Sequence, residues 1–330
     1  PLLGDHLKGP IGHIIDVIAV VSTMFGLATT LGLGIQHINA GMHYLFNFEE
    51  SVNLQVILIL IITLGATLSV VSGLHKGIQL LSKMASVMAI ILMGFMLVVG
   101  PTSFILGSTV QSTGYYLQNL IATSTWMEVN TESRWMDSWT FFYWGWWFAW
   151  APFVGLFVAR ISKGRTIKEF LIGVVIAPTL ATIVWISIFG STSLHIEIFG
   201  SGGMTEAVNQ DITTALFKLL EHFPLPYLSI LFVVIAGVIF FITSSDSGSL
   251  VIDFITSGGQ ENTPVQLRIF WALLEGAVAA VLLWGGGLIA LQTGSLVTGL
   301  PVCLLMLIVC YSILKALRAY QVDTEKGANP

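Results

Sequence analysis

Charged side chains are scarce in this sequence: Lys, Arg, Asp and Glu together make up 9% of its 330 residues. A soluble domain carries roughly 25% charged residues, because its surface has to be solvated by water. This shortage excludes a water-soluble globule and a disordered chain. The net charge of −5 also argues against nucleic acid as a partner.

Motifs for covalent or metal chemistry are missing as well. The two cysteines, Cys303 and Cys310, lie in one apolar run, where reduced packing residues are expected rather than a disulfide or a metal site. The seven histidines never recur at a spacing of four, and no Gly-rich phosphate loop is present. We therefore predict that the chain is not an enzyme and uses no cofactor.

The few charges are clustered and leave seven charge-free windows, each long enough for a spanning helix of about 20 residues. The last window holds a Gly-rich break at 285–287 between two spans. We predict an all-α polytopic membrane protein, with further helix-like stretches near 112–124 and 205–222. The prediction is a single membrane domain over 1–330 with eight spans, at roughly 13–45, 52–72, 84–108, 138–160, 168–195, 225–255, 265–290 and 295–318.

The basic residues indicate how these spans cross the membrane. If the N-terminal segment is cytoplasmic, the predicted inner segments carry 11 of the 13 Lys and Arg residues, and only Arg134 and Lys218 lie outside. Cytoplasmic loops of membrane proteins carry such an excess of basic residues. We therefore predict a multi-pass protein of the cell (plasma) membrane with a cytoplasmic C-terminus.

The segment Trp139–Phe153, WTFFYWGWWFAWAPF, holds five of the ten tryptophans. On a helix, one stripe collects four aromatic side chains: Tyr143, Trp146, Trp147 and Trp150. Such rings can form an interfacial belt near lipid headgroups. They can also form a cage for a quaternary ammonium ion, which has no N–H to donate and is attracted by ring faces. Gly145 and Pro152 flank the stripe and are expected to loosen the helix there.

A second unusual stretch, Thr243–Ser249, places several hydroxyls and the acid Asp246 deep in an apolar helix. Hydroxyl and carbonyl oxygens suit a small alkali cation, and polar groups inside a membrane are often functional. The alternative is local bonding of each hydroxyl to the carbonyl four residues earlier, with Asp246 paired to a neighbouring helix. Of the other acids in apolar runs, Asp253 is expected near a cytoplasmic helix end, and Glu275 lies mid-span.

These segments resemble one known family. Residues 139–170, WTFFYWGWWFAWAPFVGLFVARISKGRTIKEF, are similar to the hallmark segment of the betaine/choline/carnitine transporters. Residues 72–78, SGLHKGI, resemble the family's inner loop, although His75 stands where an acid or Asn is common. Residues 243–248, TSSDSG, resemble another family stretch, and Ser245 is more similar to the choline-carrier branch than to the betaine branch. The resemblance covers essentially the whole chain.

The resemblance implies a LeuT-like inverted-repeat fold of twelve spans, of which this chain would hold the fifth to the twelfth and would be N-terminally incomplete. It also implies a homotrimer and a central aromatic site for a small cationic or zwitterionic onium solute. Trp147 matches the box tryptophan of that site, Trp146 and Trp150 line the pathway, and Phe142 lies on the outer approach. Tyr143 belongs to the same stripe.

The resemblance further implies cation sites. The residues that match half of the sodium site shared across the fold are Phe240 (through its carbonyl), Thr243 and Ser244. Thr23 and Phe153 match parts of a second sodium site, whose other threonine corresponds to Leu27 here. Because a leucine side chain offers no oxygen, we expect at most one coupled sodium, at Thr243 and Ser244, or a proton in its place.

The predicted function is a secondary active symporter that imports choline or glycine betaine on a Na⁺ or H⁺ gradient, a role in osmoprotection. Two alternatives stay open: a proton-coupled or exchange carrier for carnitine or a sulfonium solute, and an onium-gated channel or receptor. Half of an inverted repeat cannot close a central site, and its unpartnered polar groups would face lipid. We therefore expect that these 330 residues alone do not transport.

Overall fold

The computed structural model describes residues 4, 8–72, 77–131, 135–260 and 263–327, and within them no residue lies in a β-strand. His75 and Arg134 are outside the described residues. The α-helices, in chain order, are α1 (Pro10–Phe46), α2 (Val52–Ser72), α3 (Gly77–Val99), α4 (Thr102–Gln118), α5 (Leu120–Ser124), α6 (Phe142–Ile161), α7 (Ile167–Leu171), α8 (Ala177–Phe199), α9 (Met204–Gln210), α10 (Ala215–Glu221), α11 (Pro226–Thr256) and α12 (Val265–Gly327).

Seven helical segments within the described residues are long and apolar enough to cross a membrane. The last of them, Val265–Tyr320, has 56 residues. At 1.5 Å per residue a straight helix of that length would measure about 84 Å, more than twice the roughly 30 Å of a bilayer core. The helix is broken at Gly287, whose φ of 63° and ψ of −158° are not helical. It therefore has room for the two spans predicted at 265–290 and 295–318.

The single span predicted at 84–108 is wrong, because two helices cover this stretch. Helix α3 ends at Val99 and α4 begins at Thr102, with Gly100 and Pro101 between them. Proline has no N–H to donate and disfavours a helical conformation in the residue before it, so the first helix ends there. Helix α4 then continues to Gln118, which leaves only α5 for the rest of the predicted stretch 112–124.

The stretch predicted as a surface helix at 205–222 is divided into α9, a 3₁₀ turn and α10. The carboxylate of Glu197 accepts hydrogen bonds from the backbone N–H groups of Met204, at 2.8 Å, and Thr205, at 3.3 Å. These N–H groups lie in the first turn of α9 and have no partner within the helix. The end of α8 therefore supplies the cap of α9.

The described residues group into two compact units, and α1, α6 and α11 each contribute to both. The first unit contains Pro1–Thr30, Arg134–Phe157 and Gly248–Pro330, and the second contains Leu31–Ser133 and Val158–Ser247. The single membrane domain stays a prediction.

The first unit has an apolar core at the meeting of three helices. Met24 and Leu27 of α1, Phe153 of α6, and Val251 and Ile252 of α11 form one buried cluster. Side chains from the first half of α12 pack against the outside of this cluster. Three parts of the chain that are distant in sequence, namely α1, α6 and the α11–α12 pair, thereby meet beside Trp150, the last ring of the aromatic stripe.

In the second unit α4 packs along α8. The hydroxyl of Ser191 donates to that of Ser108 at 2.9 Å, and the ring centroid of Phe104 lies 5.1 Å from that of His195. Large apolar side chains stay exposed on its helices, and Val98, for example, is 80% exposed. A membrane protein presents such side chains to lipid, where they need no cover.

A close helix crossing in the first unit gives the first prediction. A Cβ atom at Gly299 of α12 would collide with the carbonyl oxygen of Gly145 in α6, so the two backbones touch. Small residues allow membrane helices to approach in this way. We expect Gly299→Ala to lower the free energy of unfolding by about 1–3 kcal/mol, because backbone has to move.

The measurement is thermal unfolding of the detergent-solubilised full-length gene product. Gly155→Ala in α6 is the matched control, since no atom lies within 4 Å of the added Cβ. Equal unfolding temperatures for the two variants would contradict the close crossing.

Candidate functional site

The structure places the four aromatic side chains of α6 on one continuous surface, here called the aromatic wall: Tyr143, Trp146, Trp147 and Trp150. The ring centroid of Tyr143 lies 6.2 Å from Trp146 and 6.1 Å from Trp147. The centroid of Trp150 lies 6.2 Å from Trp146 and 6.4 Å from Trp147. All four pairs meet edge to face, an arrangement that aromatic rings favour.

The aromatic wall has an open half, Tyr143 and Trp147, and a held half, Trp146 and Trp150, whose rings are partly covered by protein. Trp147 is 48% exposed and Tyr143 is 41% exposed, whereas Trp146 and Trp150 are half-buried. Phe142 stacks on Trp146 with the ring planes only 6° apart and the centroids 5.9 Å apart. The rings that can meet a solute therefore rest on rings that the protein already holds.

The expectation that Gly145 and Pro152 loosen the helix at the aromatic wall is wrong. Helix α6 is continuous from Phe142 to Ile161, although Pro152 lies inside it. The irregular backbone comes one turn earlier, in a π-helical turn at Asp137–Phe141. Gly145 is buried instead, and a Cβ there would collide with Leu296 of α12. Its small size serves helix packing.

Residues 243–247 of the hydroxyl stretch of α11 lie in the second unit, as does Phe240. Two of the three predicted cation ligands, Thr243 and Ser244, are half-buried. The hydroxyl of Thr243 donates to the carbonyl oxygen of Ile239 at 2.8 Å, which is the local bonding considered from the sequence. Its oxygen keeps lone pairs that can face a cation. Ser244 is also half-buried, and Phe240 is 51% exposed. Thr243 and Ser244 thus offer hydroxyl oxygens, and the sodium site at these residues stays a prediction.

Asp246, two residues after Ser244, is fully buried. The hydroxyl of Ser69 on α2 donates to its carboxylate at 2.5 Å. On the same pair of helices, a Cβ at Gly65 would come within 2.9 Å of Ile242, so α2 and α11 approach closely. The pairing of Asp246 with a neighbouring helix is confirmed.

The residues matched to a second sodium site lie in the first unit, in largely apolar surroundings. Phe153 belongs to the buried cluster, where Leu27 is 2% exposed and fills space next to Gly248. Thr23 is fully buried one turn before Leu27, and its hydroxyl has no hydrogen-bond partner among the described residues. A sodium ion needs several oxygen ligands, and these surroundings offer the single hydroxyl oxygen of Thr23 beside a packed leucine.

The structure brings together a cluster of three polar side chains that was not predicted from the sequence: Asp253, Thr263 and Arg268. Asp253 lies near the C-terminal end of α11, and it is buried there, with 2% exposed. That this end faces the cytoplasm stays a prediction. The hydroxyl of Thr263 donates to the Asp253 carboxylate. The guanidinium Nε of Arg268 lies 3.4 Å from the same carboxylate and 2.9 Å from Thr263. The sequence offered one signal for this pair: an acid, Asp253, and a base, Arg268, lie on either side of the short polar link between α11 and α12. Glu275 is also buried, with 1% exposed.

Comparison with known proteins identifies the class. The family model described as "BCCT, betaine/carnitine/choline family transporter" matches residues 1–322 of this polytopic helical chain. The chain belongs to the betaine/carnitine/choline transporter family. The predicted family is thus confirmed, and so is the prediction that the chain is not an enzyme, since these proteins are transporters.

Several curated proteins are similar to this chain. The glycine betaine/proline/choline/ectoine transporter of Vibrio parahaemolyticus is 44% identical over 96% of this chain and 57% of its own length. The glycine betaine transporter OpuD of Bacillus subtilis is 42% identical over 99% of the chain and 64% of its own length. A glycine betaine transporter of Acinetobacter baylyi is 40% identical over 99% of the chain and 49% of its own length. The chain thus spans about half to two thirds of these relatives.

Proposed function

We propose that this chain is part of a secondary active symporter that imports a quaternary ammonium solute across the cell membrane. Glycine betaine is the first candidate and choline the second, because all three relatives are named for glycine betaine and one of them also for choline. The observation that carries the proposal is the aromatic wall of α6, with Trp147 open on its surface.

The chemistry of the solute explains why rings suit it. A trimethylammonium group has a permanent charge and no N–H, so hydrogen-bond acceptors cannot recognise it selectively. The face of an indole attracts such a cation by about 0.5–2 kcal/mol when water is excluded. An interfacial belt remains the competing explanation for tryptophans in a membrane protein. A belt does not require two of its indoles to be held against protein, as Trp146 and Trp150 are.

Substitution of Trp147 tests the solute site. Trp147→Leu keeps an apolar side chain and removes the ring face, so we expect the apparent affinity for glycine betaine or choline to fall at least about tenfold. Trp144→Leu is the matched control, because Trp144 lies off the aromatic wall on the same helix and is 58% exposed. The measurement is initial uptake against solute concentration in cells that express the full-length gene product.

Three further results have a meaning for the site. Equal losses for Trp147→Leu and Trp144→Leu would favour the interfacial belt. Normal affinity for both variants would remove Trp147 from the site. If Trp147→Leu binds normally while Trp147→Phe does not, shape rather than charge governs recognition.

Coupling is proposed to use at most one sodium ion, bound at Thr243 and Ser244, or else a proton. Leu27 supports this limit, since it occupies the place of a threonine ligand and is packed into an apolar core.

The proposed membrane orientation, with a cytoplasmic C-terminus, rests on the distribution of the basic residues. The proposed homotrimeric assembly rests on the family resemblance. A proton-coupled or exchange carrier for carnitine or a sulfonium solute remains the alternative within transport.

Initial uptake against external sodium, at fixed membrane potential and pH, tests the coupling. We expect a hyperbolic curve that Ser244→Ala abolishes. Thr256→Ala is the control, because Thr256 lies on the same helix and its hydroxyl bonds to the carbonyl of Ile252 at 2.9 Å, as that of Thr243 does to Ile239. A Hill coefficient near two would refute a single site. An initial uptake rate that does not depend on sodium, and that is lost when the pH gradient is dissipated, would assign the coupling to protons.

A further inference from the structure

The held half of the aromatic wall rests on one turn of α1. The indole N–H of Trp146 donates to the hydroxyl oxygen of Thr30 at 3.0 Å and to the carbonyl oxygen of Gly26 at 3.2 Å. The hydroxyl of Thr30 donates in turn to the same carbonyl at 2.9 Å. Because its hydrogen is committed there, the lone pairs of the Thr30 oxygen are left to receive the indole N–H.

The same turn of α1 also accommodates Trp150. A Cβ atom at Gly26 would lie 2.7 Å from Cδ1 of Trp150 and 3.3 Å from Ala149, so the ring occupies space that only glycine leaves open. The hydroxyl of Ser22, one turn earlier, donates to the carbonyl of Ala149 at 3.3 Å. Contacts along α1 therefore fix both α6 and two of the four rings on its aromatic wall.

The attraction between a cation and a ring depends on direction, since only the ring face carries negative potential. A tryptophan whose N–H is unpaired in an apolar environment pays a desolvation cost and can turn to other rotamers. The bonds to Thr30 and Gly26 remove that freedom from Trp146. Phe142 stacks on one face of Trp146 and restricts the ring further.

We propose that Thr30 and Gly26 are positioning residues for the onium site: they fix Trp146 and Trp150 before the solute arrives, and these rings orient Trp147 through their edge-to-face contacts. This inference rests on the proposed function. Thr30 has no part in the residues matched to the family's sites, and it acts through Trp146. A wall that is already ordered loses less conformational entropy when the solute binds.

Two substitutions of Thr30 in the full-length gene product test the proposal. Thr30→Val has almost the same shape but no oxygen, and we expect it to raise the Kd for glycine betaine about tenfold. Thr30→Ser keeps the oxygen and is expected to restore a Kd within about twofold of the wild type. Thr29→Val is the matched control: Thr29 is also buried, but its hydroxyl bonds to the backbone carbonyls of Leu291, at 2.7 Å, and Phe25, at 2.8 Å.

A second readout follows the ring itself without any solute. In protein labelled with 5-fluorotryptophan, the ¹⁹F resonance of Trp146 is assigned by its loss in Trp146→Phe. We expect Thr30→Val to shift and broaden this resonance, and Thr30→Ser and Thr29→Val to leave it in place. A merely structural role for Thr30 would disturb many tryptophan resonances together.

The outcomes separate the two claims. An unmoved Trp146 resonance in Thr30→Val, or a normal Kd despite a mobile ring, overturns the positioning role. A rise in Kd for Thr29→Val as large as that for Thr30→Val also overturns it, because only general stability would then be at work. If the wild type binds neither glycine betaine nor choline, the proposed function fails, and the role of Thr30 in holding the ring is decided by the resonance alone.

Discussion

The bilayer core supplies no water, so a polar group buried in it is costly unless another part of the protein forms a hydrogen bond with it. The carboxylate of Asp253 is paired with Arg268 and Thr263, and the indole of Trp146 is bonded to Thr30. The contact of Asp253 with Arg268 joins α11 to α12, and that of Trp146 with Thr30 joins α6 to α1. In this chain polar side chains thus determine where helices and rings lie, and most of the remaining surface is apolar.

The same constraint applies to a cationic solute. A buried carboxylate could neutralise it, but an ionised acid without its partner is costly whenever the site is empty. Rings avoid this cost, because they attract a cation in the bound state and are apolar in the empty one. The exposed face of Trp147 offers such a surface. Its benefit depends on the neighbouring rings being held, which is the contribution of α1.

Much of this arrangement can be predicted from the sequence. The exceptions depend either on a single residue that ends a helix or on a contact between residues of different helices. Charge-free windows predict the helices because a span needs an unbroken apolar run. Such a window does not reveal the break that Pro101 causes after α3, because proline carries no charge. The stripe of α6 follows from helical periodicity alone. The bond that holds it does not, since Thr30 and Trp146 are 116 residues apart in sequence. Asp253 and Arg268, by contrast, are close in sequence, and their pairing depends on how the chain turns between α11 and α12.

A counterflow experiment tests most directly whether this wall serves a carrier. The full-length gene product is reconstituted in liposomes loaded with unlabelled glycine betaine, and the entry of labelled glycine betaine is followed with no ion gradient. A carrier that presents one site alternately to each side predicts faster entry into loaded liposomes than into empty ones. Entry at the same rate into both would identify a passive pore, and absence of entry alongside tight binding would identify a receptor. Either result would contradict the account.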